Sequence, residues 1–466
     1  MEAEYYKPDV LRYLEKKVRW VKIGKILSFV QYGTSLPLNE EGAGYKIFRL
    51  NEIEDCFLTK PEKWVVLPKH QYESLRLEKD DILFCRTNGN IKYVGRTGIL
   101  KENVDAVFAS YLIRIRPNKN YVLPEYLTIY LNTKVGRAFI ERQAMHSNQF
   151  NVSAEQLKKI PIPLFDLDFQ HQIKTLVNRA ALYRNHSNIF YSKAENLLLE
   201  ELGLKDFKLK YELSYTANLS QAFSAHRLDA EYFQPVYHKL IKYLKDNFEV
   251  KPLKIFILDF QKGIEVGSEN YQEEGKLFIR VSNLSIHGFV ERDQKYIDDE
   301  LYRKLRDAYE PKVGDFLLTK DATPGIAYVV KEPIEGIIAS GILKLTIDEN
   351  KIDKEYLALC INSIIGKLQI ERDGGGSVII HWKPEQIKNL QIPVLPHKTQ
   401  RKIAKLVQQS HEARRKAKEL LEEAKRKVEK AIENEINKYF IIPTTSHSQH
   451  PRIQQNRRFI PRHEGY

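Results

Sequence analysis

The stretch that decides the fold is Thr399–Tyr439, TQRKIAKLVQQSHEARRKAKELLEEAKRKVEKAIENEINKY. It holds neither Pro nor Gly and is crowded with Ala, Leu, Glu, Lys and Arg, the strongest helix formers. Apolar or small residues recur at steps of three and four, at Ile403, Val407, Ser410, Ala413, Ala417, Leu421, Ala424, Val428 and Ala431. This predicts a helical rod of roughly 60 Å with one thin apolar seam. A rod without a core of its own must lie on something. The partner is an earlier stretch, Gln170–Leu204, with a seam at Ile173, Leu176, Val177, Ala180, Tyr183, Ser187, Phe190, Ala194, Leu197 and Leu198. Gly203 is its C-cap.

Working outward from the rods, the chain repeats itself at an offset of 230. Gln170, Ile173, Leu176 and Val177 match Gln400, Ile403, Leu406 and Val407. Glu155-Gln156-Leu157-Lys158 matches Glu385-Gln386-Ile387-Lys388, and Glu125-Tyr126-Leu127 matches Glu355-Tyr356-Leu357. The entry Ala3-Glu4-Tyr5-Tyr6-Lys7-Pro8 resembles Ala230-Glu231-Tyr232-Phe233-Gln234-Pro235. One unit runs from a short entry segment through a globular domain into a long helix, and the chain holds two.

Within a unit, β-branched and aromatic runs separated by Gly, Asn and Pro turns predict strands. They are Tyr45–Leu50, Asp81–Cys85, Tyr93–Leu100 and Ala106–Arg116, then Leu277–Val281, Asp315–Thr319, Ile326–Val330 and Gly336–Ile347. Pro124–Ala144 and Lys354–Glu371 predict helices. The segments IPIPLF and IPVLP predict stiff connectors into the rods.

The totals narrow the class. Hydrophobic residues at 42% and charged ones at 29% fit a globular protein with an ample core. A formal net charge of +13 points to a polyanion, nucleic acid rather than membrane. The scattered Cys56, Cys85 and Cys360 predict a reducing compartment and no zinc site. With no signal peptide and no long apolar run, the expectation is a cytoplasmic protein. Tools of catalysis are missing. Gly42-Ala43-Gly44 lacks the third glycine of a dinucleotide loop, and Asn270–Leu277 fails a Walker A loop at both ends. Asp293-Gln294-Lys295 has the spacing of a nuclease half-site, a triplet expected by chance in so charged a chain. No catalytic residue and no metal ligand is assigned.

Three pairs of segments are candidates for touching DNA. The first follows the shared Asp-Ile/Phe-Leu strand: Arg86, Thr87, Asn88, Asn90 and Lys92 in one unit, and Lys320, Asp321 and Thr323 in the other. The strand cores repeat while these tips diverge, as two readers of different sequences require. Arg reads guanine, Asn reads adenine, Asp accepts from cytosine and Thr meets either edge. The second pair is Asn148 and Gln149, in Met145–Asn151, against Ser377, His381 and Lys383, in Asp373–Lys383, two stretches of polar donors, flexibility and an aromatic. Arg49 and Asn51, with Arg280 and Asn283, form a third pair at strand ends. The plain alternatives are polar hairpins, inter-helix linkers and ordinary surface.

The paired IPIPLFDLDFQHQI and IPVLPHKTQRKI segments, the AEYYKP and AEYFQP entries and the duplication resemble the specificity (S) subunits of Type I restriction–modification systems. Asp166 and Asp168 stand where that family often has Pro and Glu. The resemblance implies an α+β fold: two mixed α/β target-recognition domains separated by two long antiparallel helices, a coiled-coil spacer with a pseudo-two-fold repeat. It predicts a first recognition domain with its entry segment over 1–165, a spacer helix over 166–205, a second domain over 206–395, a second spacer helix over 396–440 and a basic, disordered tail over 441–466. It implies a non-catalytic reader of a bipartite site in double-stranded DNA that scaffolds two methyltransferase (M) subunits and the restriction (R) subunits. S-adenosylmethionine, ATP and Mg are then expected only in those partners. The rival expectations are a specificity module of another restriction–modification system, a self-contained modification enzyme, and a coiled-coil protein that binds no DNA.

Overall fold

The structure, a computed structural model, describes residues 18–146, 149–374 and 381–433. The entry segment at 3–8, the last turns of the second rod and the 441–466 tail lie outside the described residues.

The rods form as their seams predict. The first helix spans Leu167–Glu201 and the second His397–Glu433. Asp166, one of the two departures from the family pattern, is the N-cap of the first: its carboxylate accepts from Phe169 N–H at 2.7 Å, and Asp168 lies in the first turn, where negative charge is favoured. At the far end Gly203 takes φ +63°, and Leu204 N–H reaches back to Leu199 O at 2.7 Å. The second helix starts earlier than its periodicity suggests, because Pro396 O receives the N–H groups of Thr399 and Gln400.

All nine predicted seam positions of the second rod are buried. Ile173, Leu176, Val177 and Ala180 share one core with Leu421, Ala424, Val428 and Ala431, whereas Ala194 and Leu198 share another with Ile403 and Val407. The rods are therefore antiparallel. Small residues line their middle, where the Ser187 and Ser410 hydroxyls lie 3.1 Å apart and Ser410 donates to Ser187 O at 2.8 Å. Each of those two cores also contains most of one globular domain, so each domain is fused to both rods.

Both domains are built around two main sheets of the same plan. In the first, Leu27–Tyr32, Leu112–Pro117, Ile82–Cys85 and Thr97–Ile99 run side by side, and Ala106–Phe108 pairs in parallel with Tyr45–Phe48 in a second sheet. In the other, Ile257–Lys262, Ile342–Ile347, Phe316–Thr319 and Ala327–Val329 repeat the order, and Gly336–Ile338 pairs in parallel with Lys276–Ile279. The predicted single strands Ala106–Arg116 and Gly336–Ile347 are each cut in two. The chain crosses from one sheet to the other around Ala109 and Ala339, and it does so against Gly33 and Gly263. A Cβ on either glycine would fall 2.2 or 2.3 Å from a carbonyl oxygen. The predicted helix Pro124–Ala144 is likewise two, Pro124–Leu131 and Lys134–Gln143, because Thr133 stops one and caps the next through Gly136 N–H. Its counterpart is divided as Lys354–Asn362 and Ile364–Gly374. The proline connectors are more than spacers: Pro161–Pro163 pairs with Trp20–Lys22, and Gln391–Pro393 with Val250–Pro252.

The repeat extends to individual hydrogen bonds. Buried Gln170 accepts from Leu123 N–H and donates to Phe165 O; buried Gln400 does the same with Asp353 N–H and Leu395 O. Tyr126 and Tyr356 donate to Pro163 O and Pro393 O. Asn132 and Asn362 donate to Thr97 O and Ala327 O.

Each domain also lays a hairpin on the rods, Ile53–Leu58 in one and Leu284–Phe289 in the other. Here the copies part. Glu54 bonds both Arg184 (2.9 Å) and Arg414, two arginines that the repeat makes equivalent. The matching position in the second hairpin is Ser285. Burial would raise the Glu54 carboxyl, but Arg414 and Arg184 hold it below its usual value. His287 packs edge-on to Tyr191, and burial beside Arg414 pushes its imidazole down to about 3.

Candidate nucleic-acid interface

In the first domain the tertiary fold joins two segments that the sequence presents separately. Thr87–Asn88, following the core strand Ile82–Cys85, pairs with Phe150–Asn151, which pairs with Met145–His146. The result is a small three-stranded platform on the edge of the domain. Arg86 is held in it by Asn151, whose Oδ1 accepts from Nε at 3.3 Å and Nη2 at 3.1 Å, and by the Tyr32 ring 4.9 Å away. The Thr87 hydroxyl donates to Gln149 Oε1 at 3.2 Å. Asn88 accepts from Asn90 N–H and Asn90 from Lys92 N–H, each at 2.9 Å, which shapes the tip. Gly89 faces open space. Underneath, Arg137 donates to Ile91 O at 3.1 Å and Lys92 O at 3.3 Å. Burial pulls its guanidinium pKa down. Lys92 turns toward the other domain, with its ammonium 4.8 Å over the Tyr296 ring.

The second domain builds the corresponding platform from the corresponding segments with different side chains. Asp321 bridges to His381, and Trp382 N–H donates to Lys320 O at 2.9 Å. Asp321 Oδ1 is 2.9 Å from His381 Nδ1, and Oδ2 bonds Lys320 Nζ. Burial favours a raised Asp321 carboxyl, yet those bonds to Lys320 and His381 bring it below its usual value. Thr323 closes the tip, its O accepting from the Thr319 hydroxyl at 2.6 Å. Gly325 takes φ +90° where a Cβ would meet Ile370 at 2.3 Å. Trp382 is fully buried beneath, its indole donating to Asp373 at 3.3 Å. Lys383 is exposed at the start of the helix Pro384–Lys388. Asn148 and Ser377 lie outside the described residues.

The third predicted pair is placed differently. Arg49 is bonded to the buried carboxylate of Glu52. Arg280 is 2.7 Å from Asp293, and Asn283 has no exposed surface, its amide caps a turn through Arg280 N–H and reaches Arg292 O. These three side chains brace loops, for the reason that a strand end followed by a tight turn leaves backbone groups needing partners. Asn51 alone of this group is exposed. It stands on the rim of a cleft of about 770 Å³ between the domains, with Asn88 and Asn90 on one wall and Arg292 and Lys295 on the other. Arg137 and Tyr32 were not among the expected residues and carry no local signal, whereas Asn151 closes the polar stretch Met145–Asn151 that holds Gln149.

Among the described residues the platforms offer hydrogen-bond donors, acceptors and cations, and no activated nucleophile. Burial pushes the Cys56 thiol up to about 11 and those of Cys85 and Cys360 up to about 12. Among the described residues no group of three or more His, Cys, Asp or Glu could hold a metal ion. No helix among them is long and apolar enough to cross a membrane.

The model of the family described as "Type I restriction modification DNA specificity domain" matches residues 17–178 and 258–426, one stretch per repeat and together more than half of the chain. The chain belongs to this Type I specificity family. A putative Type I restriction enzyme MjaX specificity subunit of Methanocaldococcus jannaschii is 24% identical over 86% of this chain and 89% of its own length. The EcoKI specificity subunit of Escherichia coli K12 is 26% identical over 34% of this chain and 35% of its own. The crystal structure of a Type I restriction–modification S subunit from M. genitalium aligns over 91% of this chain and 97% of its own, at 15% identity and a TM-score of 0.40. As a Type I specificity subunit, the chain has the two domains and two long helices its repeat predicted, the recognition domains and spacer that the resemblance implied.

Proposed function

We propose that this specificity subunit reads a bipartite DNA site, one half with the Arg86–Lys92/Gln149–Asn151 platform and the other with the Lys320–Thr323/His381 platform. The observation that carries the reading is the duplicated platform itself: equivalent backbone, equivalent segments, different side chains. The rods hold the readers in opposite senses about the pseudo-two-fold axis, so the half-sites are separated by unread bases. The +13 charge supplies sequence-independent attraction to phosphates. Methylation and cleavage belong to two docked M subunits and to R subunits, which bind S-adenosylmethionine, ATP and Mg; the chain contributes specificity and assembly, within the cytoplasm. The test is a methylome of cells carrying the complete system with Asp321→Ala plus His381→Ala. The modified motif is expected to relax in one half only, each lost base contact being worth about 1–3 kcal/mol. A change in both halves, or in neither, refutes the two-reader arrangement.

A further inference from the structure

The rods are not the only connection between the recognition domains. The turn Ile91–Tyr93 and the residues after it rest on the segment 291–296 of the second domain. The Tyr93 hydroxyl accepts from Gln294 N–H at 3.0 Å. Arg96 Nη2 is 3.5 Å from Glu291 Oε2, and its guanidinium lies 4.2 Å from the Tyr93 ring centre. The receiving segment is stiffened from behind by the Arg280–Asp293 pair and by buried Asn283. This contact has no symmetric mate: the repeat puts Thr323 and Ile326 where Tyr93 and Arg96 stand.

Each domain shares its largest core with the rods. Glu291 and Gln294 follow the hairpin Leu284–Phe289, and Arg96 and Glu291 line one cleft with Arg415, Glu422 and Lys425 of the second rod. The seam fixes how far apart the domains stand. This contact, beside the second rod, ties the two domains directly to each other. One base pair added between two half-sites shifts them by about 3.4 Å and turns them by about 35°. A spacer that cannot rotate accepts neither.

We propose that Tyr93 and Arg96, set against Gln294 and Glu291, form a positioning strut that fixes the angle between the two domains and so narrows the half-site spacing the subunit accepts. This rests on the bipartite reading above. None of the four touches DNA in that reading; they act through the platforms they orient.

The experiment uses the complete methyltransferase complex on DNA bearing the native half-sites at the native spacing, one base pair longer and one shorter. The variants are Arg96→Glu, Glu291→Arg, Tyr93→Phe and the exchange R96E/E291R. Both charge reversals are expected to keep modifying the native spacing while modifying the altered spacings about tenfold more than wild type does, equivalent to about 1.4 kcal/mol. Tyr93→Phe moves the same way by less, and the exchange restores the narrow spacing. Unchanged spacing in the single variants overturns the strut and leaves the bipartite reading intact. Loss of modification at every spacing that the exchange does not restore also overturns it, since the contact would then serve folding alone. A wild-type complex that modifies an undivided motif overturns the bipartite reading, and the strut with it.

Discussion

Glu54→Gln tests the central feature of the assembly, one carboxylate holding two arginines at the middle of the rods. Glu54 Oε2 is 2.9 Å from Arg184 Nη2 and Oε1 bonds Arg414, with side chains exposed by 27%, 13% and 17% respectively. Glutamine keeps the volume, and the bond from Arg184 to the Glu54 backbone oxygen (2.8 Å) survives. What is lost is the charge, leaving two guanidinium groups facing each other. Removing one partner of a buried ion pair costs about 3–5 kcal/mol; partial exposure screens this to about 2–3 kcal/mol. Because the arginines hold the folded carboxyl below its usual value, this contribution is present above the ordinary carboxylate range and is lost as pH falls through the folded value. At pH 7.5 it is therefore fully developed. Urea unfolding followed by the helical signal of the rods measures it, and a cycle with Arg414→Met isolates it. Once one arginine is gone, Glu54→Gln should cost about 1–2 kcal/mol less. A cost below about 0.5 kcal/mol, or one that is the same in both backgrounds, would refute the reasoning.

Two further outcomes follow from buried polar groups. Gln170→Leu strands Leu123 N–H, Tyr121 O and Phe165 O, all satisfied by that amide, and should destabilise the chain by about 3 kcal/mol in thermal unfolding; a loss under about 1 kcal/mol would contradict it. The second concerns acid. Burial, with Arg414 beside one ring and Lys331 beside the other, pushes His287 and His411 down to about 3, so between there and about 6.5 the unfolded chain binds more protons. Stability is then present above about pH 6.5 and is lost as pH falls. Both rings are partly exposed, so we expect a loss of about 2 kcal/mol by pH 5 for the pair. Melting curves at pH 7.5 and 5 should show it in wild type and show markedly less in H287N/H411Q; an equal drop in both would sink the assignment.

The segments that build the two candidate platforms were legible as pairs of stretches. The sequence separated Arg86–Lys92 from Met145–Asn151, and Lys320–Gly325 from Asp373–Lys383. Only strand pairing across some sixty residues makes each two one platform. The Arg49, Arg280 and Asn283 side chains read as strand-end polar groups available to a ligand. In the structure Arg49 bonds Glu52, Arg280 bonds Asp293 and Asn283 caps a turn, and nothing in a local pattern reveals which backbone groups a turn leaves wanting. Glu54 carried no signal at all: its meaning depends on Arg184 and Arg414, which come beside it only when two rods cross.

By itself the sequence determined the rods, their seams, the duplication and the mixed character of each domain. These rest on short-range periodicity and on a constant offset between copies, both of which a linear chain displays. The tertiary structure alone decided where one predicted strand or helix becomes two, which polar tips assemble into a platform, and which residues break the two-fold symmetry. Those are outcomes of packing between segments far apart in the chain. At Glu54 the copies diverge because one carboxylate serves both equivalent arginines, and the second hairpin carries Ser285 instead; at the Tyr93–Gln294 contact they diverge because the repeat puts Thr323 where Tyr93 stands.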